Sequence, residues 1–260
     1  MALLELSRGE FFGTDDSADP GYFDYNPGEH VVIIEPTGGG KTTIAYQMLT
    51  QVMRRYPGLS VASFMPKPAD PSTVRWARAL NLRETPVWPP QRKLFQGKPA
   101  GHVLWPPHRM DLPPAERREE VGKVLRSGLD TQYKAGNSIS FVDDAHSAAT
   151  YMKLNDYIEE MLVNGRAGGA AAWLALQKPS GTINAGGITT YAYSSPTHFL
   201  FGKDTLEANL KRLSEMGGGI DSARVEGIVR NLRLYRIGTH TVSQKLYIDK
   251  RGPYMALIGP

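Results

Sequence analysis

Residues 35–43 read Glu-Pro-Thr-Gly-Gly-Gly-Lys-Thr-Thr. The pattern G-x-x-x-x-G-K-[ST] marks a loop whose glycines let the backbone curl, so that successive N–H groups face phosphate oxygens. A helix that starts just after Gly40 adds the positive end of its dipole. In this frame Thr37, Gly38, Gly39, Gly40, Lys41, Thr42 and Thr43 are the candidate contacts to a nucleoside triphosphate. Lys41 would reach the β- and γ-phosphates, and the Thr42 hydroxyl would take one Mg²⁺ position. One position departs from the pattern. Glu35 stands where the first glycine belongs. A carboxylate aimed at phosphates is repulsive, so its side chain must turn away.

A second group of residues complements the first. Ser138-Ile139-Ser140-Phe141-Val142-Asp143-Asp144-Ala145-His146 is an apolar strand that ends in two carboxylates. Beside the phosphate-loop strand, its C-terminal end would meet the phosphates, where ligands bind in open α/β sheets. Asp143 is then placed to hold Mg²⁺, through water. Asp144 falls where many such sites carry a glutamate that orients the attacking water, and it is one methylene shorter. His146, alone at a helix start, is assigned no chemistry.

These residues need a scaffold of strands and helices. Val31-Val32-Ile33-Ile34 is a short β-branched run, as a strand buried on both faces reads. Residues 42–55 have helical character with Ile44, Met48, Leu49 and Val52 near one face, and Pro57-Gly58 stops them. Residues 59–65 form the next strand. Asp70-Pro71 opens a helix to about Asn81. Residues 84–114 are rich in proline and basic residues and read as an elaborated insertion, with short strands near Val87 and Val103-Leu104. The pattern then predicts a helix over 114–133, a strand over 138–142 and a helix over 148–163. A strand over 170–176, a strand over 197–201, a helix over 205–215 and a last helix over 221–231 follow. Residues 232–258 alternate apolar and polar, as in antiparallel edge strands. Residues 1–28 show no helical period and read as an irregular arm. Strands alternating with helices predict a mostly parallel α/β sheet flanked by helices, with antiparallel C-terminal edge strands, in one P-loop domain over 1–260.

Bulk properties narrow the function classes. The chain has 260 residues and no cysteine, which excludes disulfides and thiolate metal sites. No apolar run approaches the roughly 20 residues of a membrane span, and no signal-peptide pattern opens the chain. A cytoplasmic protein with no membrane insertion is expected. The net charge of +4 is uneven: residues 200–260 hold ten Lys+Arg against six Asp+Glu, and the rest is balanced. A mildly basic C-terminal face could meet an anionic polymer such as DNA.

Three segments together carry a resemblance. They are the phosphate loop with its Asp-Asp strand; Asn164-Gly165-Arg166-Ala167-Gly168-Gly169; and Leu176-Gln177-Lys178-Pro179-Ser180 after the strand 170–176. Met65-Pro66-Lys67-Pro68 adds to them. The set, spanning about residues 28–205, resembles the FtsK–HerA superfamily of DNA-pumping ATPases in a minimal, single-domain form. The family's Thr-Gln-Arg-Pro-Ser here has Leu176 for Thr and Lys178 for Arg. The resemblance implies a RecA-like P-loop NTPase core, ATP and Mg²⁺ as cofactors, a homo-oligomeric ring (often a hexamer) and double-stranded DNA as partner. It implies that Gln177 senses the γ-phosphate. It makes Arg166 a candidate arginine finger toward a neighbour's nucleotide, with Arg212, Arg224 and Arg230 as competitors. Asp144, Gln177, Arg166 and Lys41 are thus the expected catalytic set.

The expected function is an ATP-driven motor that translocates or packages double-stranded DNA through phosphate contacts without sequence preference. Two alternatives stand beside it. One is an ATPase for protein assembly or secretion that ignores DNA. The other is a nucleotide-gated scaffold with little turnover, for which the Glu35 and Asp144 departures argue.

Overall fold

The computed structural model describes residues 3–13, 21–68, 71–90, 100–179, 189–238, 240–252 and 254–259. In chain order these form β1 (Leu4–Leu6), α1 (Arg8–Phe12), β2 (Val31–Ile34), α2 (Lys41–Arg55), β3 (Ser60–Phe64), α3 (Pro71–Ala79), β4 (Leu82–Thr85) and β5 (Gly101–Leu104). There follow α4 (Pro114–Ala135), β6 (Ser138–Val142), α5 (Ala145–Tyr151), α6 (Asn155–Asn164), a 3₁₀ turn (Gly165–Gly168), β7 (Ala170–Leu176) and α7 (Tyr191–Ser194). The chain ends with β8 (His198–Phe201), α8 (Glu207–Glu215), α9 (Ser222–Asn231), β9 (Leu234–Ile237), β10 (His240–Ser243), β11 (Lys245–Asp249) and β12 (Tyr254–Ile258).

Ten strands form one sheet in the order β1-β12-β11-β8-β2-β7-β6-β3-β5-β4. The seven from β8 to β4 are parallel. β11 and β12 close the other side antiparallel, as expected for the C-terminal strands. The β9–β10 pair stands apart as a two-stranded hairpin.

β2 and β7 are buried along their whole length. Successive strand residues point to opposite faces, and each face has its own core. Val32, Ile34, Ala172, Leu174 and Leu176 meet α4, α5, α6, α8 and α9 through residues such as Leu125, Ala148, Ile158, Leu213 and Val229. Val31, Ile33, Ala171, Trp173 and Ala175 meet α2 through Ile44, Met48, Leu49 and Val52. The result is a sheet between two helical layers. No helix among the described residues is long and apolar enough to cross a membrane.

Four details differ from expectation. The N-terminal arm contains a strand and a helix. β1 pairs parallel with β12, and α1 starts on a capping box in which Ser7 and Glu10 cap each other. The arm's Phe11, Phe23 and Tyr25 are buried in the α2-side core, with the Tyr25 and Trp173 rings edge to face at 5.3 Å. Second, the helix expected over 148–163 is two helices, broken at Met152–Leu154 where Lys153 adopts a positive φ of 56°. Third, the strand placed near Val87 is Leu82–Thr85. Fourth, the strand carrying the two aspartates does not lie beside β2: β7 pairs with both β2 and β6 and separates them. Asp70, expected to cap α3, lies outside the described residues.

Candidate nucleotide site

The parallel strands deliver their C-terminal ends to one edge of the sheet, and the expected site residues collect there. β2 ends at Ile34, and the backbone N–H of Glu35 still bonds Leu176 O at the end of β7 (3.0 Å). The loop then turns through Gly38 (φ 85°) and Gly40 (φ 100°), both in the left-handed region. Residues with a Cβ pay about 1–2 kcal/mol there, which glycine avoids. Gly40 caps α2 without a side-chain bond. The first intrahelical bond is Ile44 N–H to Gly40 O, so the N–H groups of Lys41, Thr42 and Thr43 precede the helical ladder. α2 has no acidic residue in its first turn and begins on a lysine. Such a start is electrostatically unfavourable for a helix unless an anion sits on it.

Lys41 folds over the loop, its Nζ 2.7 Å from Glu35 O and 3.1 Å from Pro36 O. Burial lowers its pKa, and the nearby charges of Glu35, Asp143 and Asp144 work against that shift. The Thr42 hydroxyl stands 3.4 and 3.5 Å from the two Asp143 carboxyl oxygens. Hydroxyl and carboxylate oxygens are the donor types that hard Mg²⁺ takes, and Mg²⁺ uses one or two protein ligands beside phosphate oxygens rather than an all-protein cage. Among the described residues no cluster of three or more His, Cys, Asp or Glu could form such a cage. The Thr42 hydroxyl and the Asp143 carboxylate, side by side at 3.4–3.5 Å, are of the donor types the ion takes.

Asp144 caps α5 from a left-handed backbone (φ 57°) and is 7 % exposed. Three donors hold its carboxylate: Ser147 N–H at 3.4 Å, Gln177 Nε2 at 3.4 Å and Lys67 Nζ at 2.7 Å. The intervening position of β7 explains the Gln177 contact, since the residue after its end lies between the phosphate loop and the Asp-Asp turn. Lys67 was not among the expected site residues. Its only signal in the sequence was the Met65-Pro66-Lys67-Pro68 segment. The Pro-rich insertion braces it: Trp105 Nε1 donates to Lys67 O at 2.9 Å.

Glu35 turns away from the loop, as the sequence required. It is 2 % exposed, and its Oε1 accepts from Ser243 Oγ and from Lys245 Nζ, both at 2.6 Å. Its side chain fills the space that a Cβ would take at Gly39 and at Gly202, well inside 3.0 Å in both cases. Gly39 is thus needed for close approach and not for its φ.

Arg166 is not brought to this cluster. It lies in the 3₁₀ turn before β7, at the opposite edge of the sheet, where its charge acts on His30 just before β2. The seven residues of β7 separate the two edges, roughly 20 Å at about 3.3 Å per residue. Of the competing arginines, Arg212 pairs with Glu215 and Arg230 with Glu207. The basic C-terminal excess is also partly internal. Lys245 is buried against Glu35, and Arg251 pairs with Asp249 and Glu29.

No family model and no curated protein matches the chain. Solved structures do. The genome packaging NTPase B204 from Sulfolobus turreted icosahedral virus 2, in complex with sulfate, superposes with a TM-score of 0.58 at 14 % identity, covering 91 % of this chain and 98 % of that one. Its complex with ATP-γS gives 0.58 at 15 %, covering 91 % and 99 %. B204 described as the DNA-packaging ATPase from Sulfolobus turreted icosahedral virus gives 0.56 at 15 %, with the same coverage. The chain has the fold of a P-loop NTPase. Identities this low establish the fold and leave the activity to be argued from the site.

Proposed function

We propose that this protein is an ATP-hydrolysing motor of the FtsK–HerA type that moves or packages double-stranded DNA as a homo-oligomeric ring. The observation that carries the ATPase part is the convergence of Lys41, Thr42, Asp143, Asp144 and Gln177 at one sheet edge, drawn from three separate strand ends. Phosphoryl transfer needs little covalent help from a protein, so positioning and charge stabilisation account for most of its catalysis. Lys41 and the first turn of α2 bind and neutralise the phosphates. Thr42 and Asp143 would hold Mg²⁺, which when bound would supply further neutralisation of phosphate charge. Asp144 orients the attacking water, and Gln177 and Lys67 fix its carboxylate. Arg166 lies too far from its own loop to serve it and acts on a neighbouring subunit's nucleotide. The DNA part draws support from the structural likeness to viral packaging NTPases.

Turnover with and without double-stranded DNA, beside a native mass measurement, tests the proposal. DNA-stimulated hydrolysis by a ring-sized species is expected. Hydrolysis indifferent to DNA would transfer the site to protein assembly or secretion. The 2.7 Å Lys67–Asp144 pair favours one other reading, a nucleotide-gated scaffold, because it occupies the carboxylate that should meet water. ATP binding without turnover would sustain that reading.

A further inference from the structure

We propose that Lys245 is a positioning residue of the phosphate loop, which it holds ready for a nucleotide by neutralising Glu35 and fixing the Gly39 carbonyl. The inference rests on the nucleotide-binding reading and assigns part of that site to β11, 206 residues from the Gly39 carbonyl it binds.

Lys245 is 1 % exposed and its three ammonium protons have three close acceptors. These are Glu35 Oε1 at 2.6 Å, Gly39 O at 2.9 Å and Ser243 O at 2.9 Å. An ammonium offers three donors and no acceptor, so the set is complete. The contacts explain the unusual first residue of the loop. A buried carboxylate beneath a site for a triphosphate would repel the ligand, and burial of an unpaired charge is costly in its own right. Lys245 cancels that charge. It also orients the loop. The C=O and N–H of a trans peptide point in opposite directions. Drawing Gly39 O toward Lys245 turns the Gly40 N–H away from the buried pair. Ser243 completes the arrangement, accepting Lys203 N–H at 3.3 Å while donating to Glu35.

The charged groups acting on Glu35 are Lys245 from β11, Lys41 from α2 and Arg8 from α1. Burial pushes the Glu35 carboxyl up, and Lys245 opposes the shift. Without Lys245 the carboxyl would titrate higher still, and protonation would relieve the repulsion.

The test compares ATP affinity, with Mg²⁺ present, and melting temperature for the wild type, Lys245→Met, Glu35→Gln and the double variant. Lys245→Met is expected to weaken ATP binding at least tenfold. The double variant should recover to within about threefold of the wild type, the remaining loss being the Gly39 carbonyl contact that methionine cannot make, and Glu35→Gln should bind ATP no worse than the wild type. The affinity of Lys245→Met should improve from pH 8 to pH 6 relative to the double variant, which lacks the carboxyl. Should Lys245→Met fail to fold, Glu35→Gln and the double variant carry the comparison. Tenfold weaker binding by either of these two, or wild-type binding by folded Lys245→Met, would overturn the proposal. A wild type that binds no ATP would instead overturn the nucleotide reading beneath it.

Discussion

Replacing Gly39 by alanine should harm this protein more than replacing Gly38, although Gly38 is the one with the left-handed backbone. A Cβ at Gly39 would fall on the Cγ, Cδ and Oε1 atoms of Glu35, well inside the 3.4 Å of ordinary contact. The carboxyl group would have to retreat by on the order of 1 Å, against carbon–carbon contact optima near 3.5–4.0 Å. It cannot do so freely, because Oε1 is held by Lys245 and Ser243 at 2.6 Å each. Breaking a buried pair typically costs about 3–5 kcal/mol. For a chain of this size, 1 kcal/mol shifts the melting temperature by roughly 2–4 °C. Gly39→Ala should therefore lower it by on the order of 10 °C. A Cβ at Gly38 would meet nothing within 4 Å, and its penalty is the φ of +85° alone, about 1–2 kcal/mol. Thermal melting of the two variants reads the difference directly. A Gly39→Ala protein as stable as Gly38→Ala would refute the close-approach argument and the Glu35 placement on which it rests.

Other outcomes follow from the same geometry. Asp144→Asn should keep ATP binding, measured by calorimetry, and lose hydrolysis; retained hydrolysis would mean that water is oriented by another group. Arg166→Ala subunits mixed with Lys41→Ala subunits should regain turnover if Arg166 serves a neighbour, whereas no gain over either variant alone would return it to a structural role. Stability should fall in acid through His30. Burial, with Arg166's charge adding to it, holds its pKa at about 4, and its Nδ1 accepts the Ala172 N–H at 3.0 Å. The folded pKa lies below the unfolded value near 6.5, so the unfolded state binds more protons between those values. Stability from the neutral ring is complete above pH 6.5 and is lost as pH falls toward 4, at about 1.4 kcal/mol per unit. Urea unfolding should show about 2 kcal/mol less stability at pH 5 than at pH 7.5 from this group, and His30→Asn should flatten that difference.

The parts of the candidate site legible in the sequence were those set by local chemistry. The β-branched run before the glycines, the lysine at a helix start and the two aspartates after an apolar strand each follow from neighbouring residues. What sequence left out was non-local. The insertion of β7 between β2 and β6 depends on pairing across the chain, and it converts Gln177 from a strand end into a direct partner of Asp144. Lys67 and Lys245 are reached through tertiary contacts, although Glu35 in a phosphate loop demanded some partner. The helix and buried aromatics of the arm do leave traces in the sequence. Ser7 and Glu10 have capping-box spacing, and the arm's aromatics supply a core surface that a solvated arm would not need. The break at Lys153 has no glycine or proline to announce it.

The central claim is that Lys41 and the loop before it hold the triphosphate of a nucleotide that this protein hydrolyses. Steady-state ATP turnover with Mg²⁺, in the wild type and in Lys41→Ala, tests it most directly. Measurable turnover is expected in the wild type and loss of ATP binding or turnover in the variant, since the variant loses the ammonium that folds over the loop at the Glu35 and Pro36 carbonyls. Wild-type turnover in Lys41→Ala would contradict it.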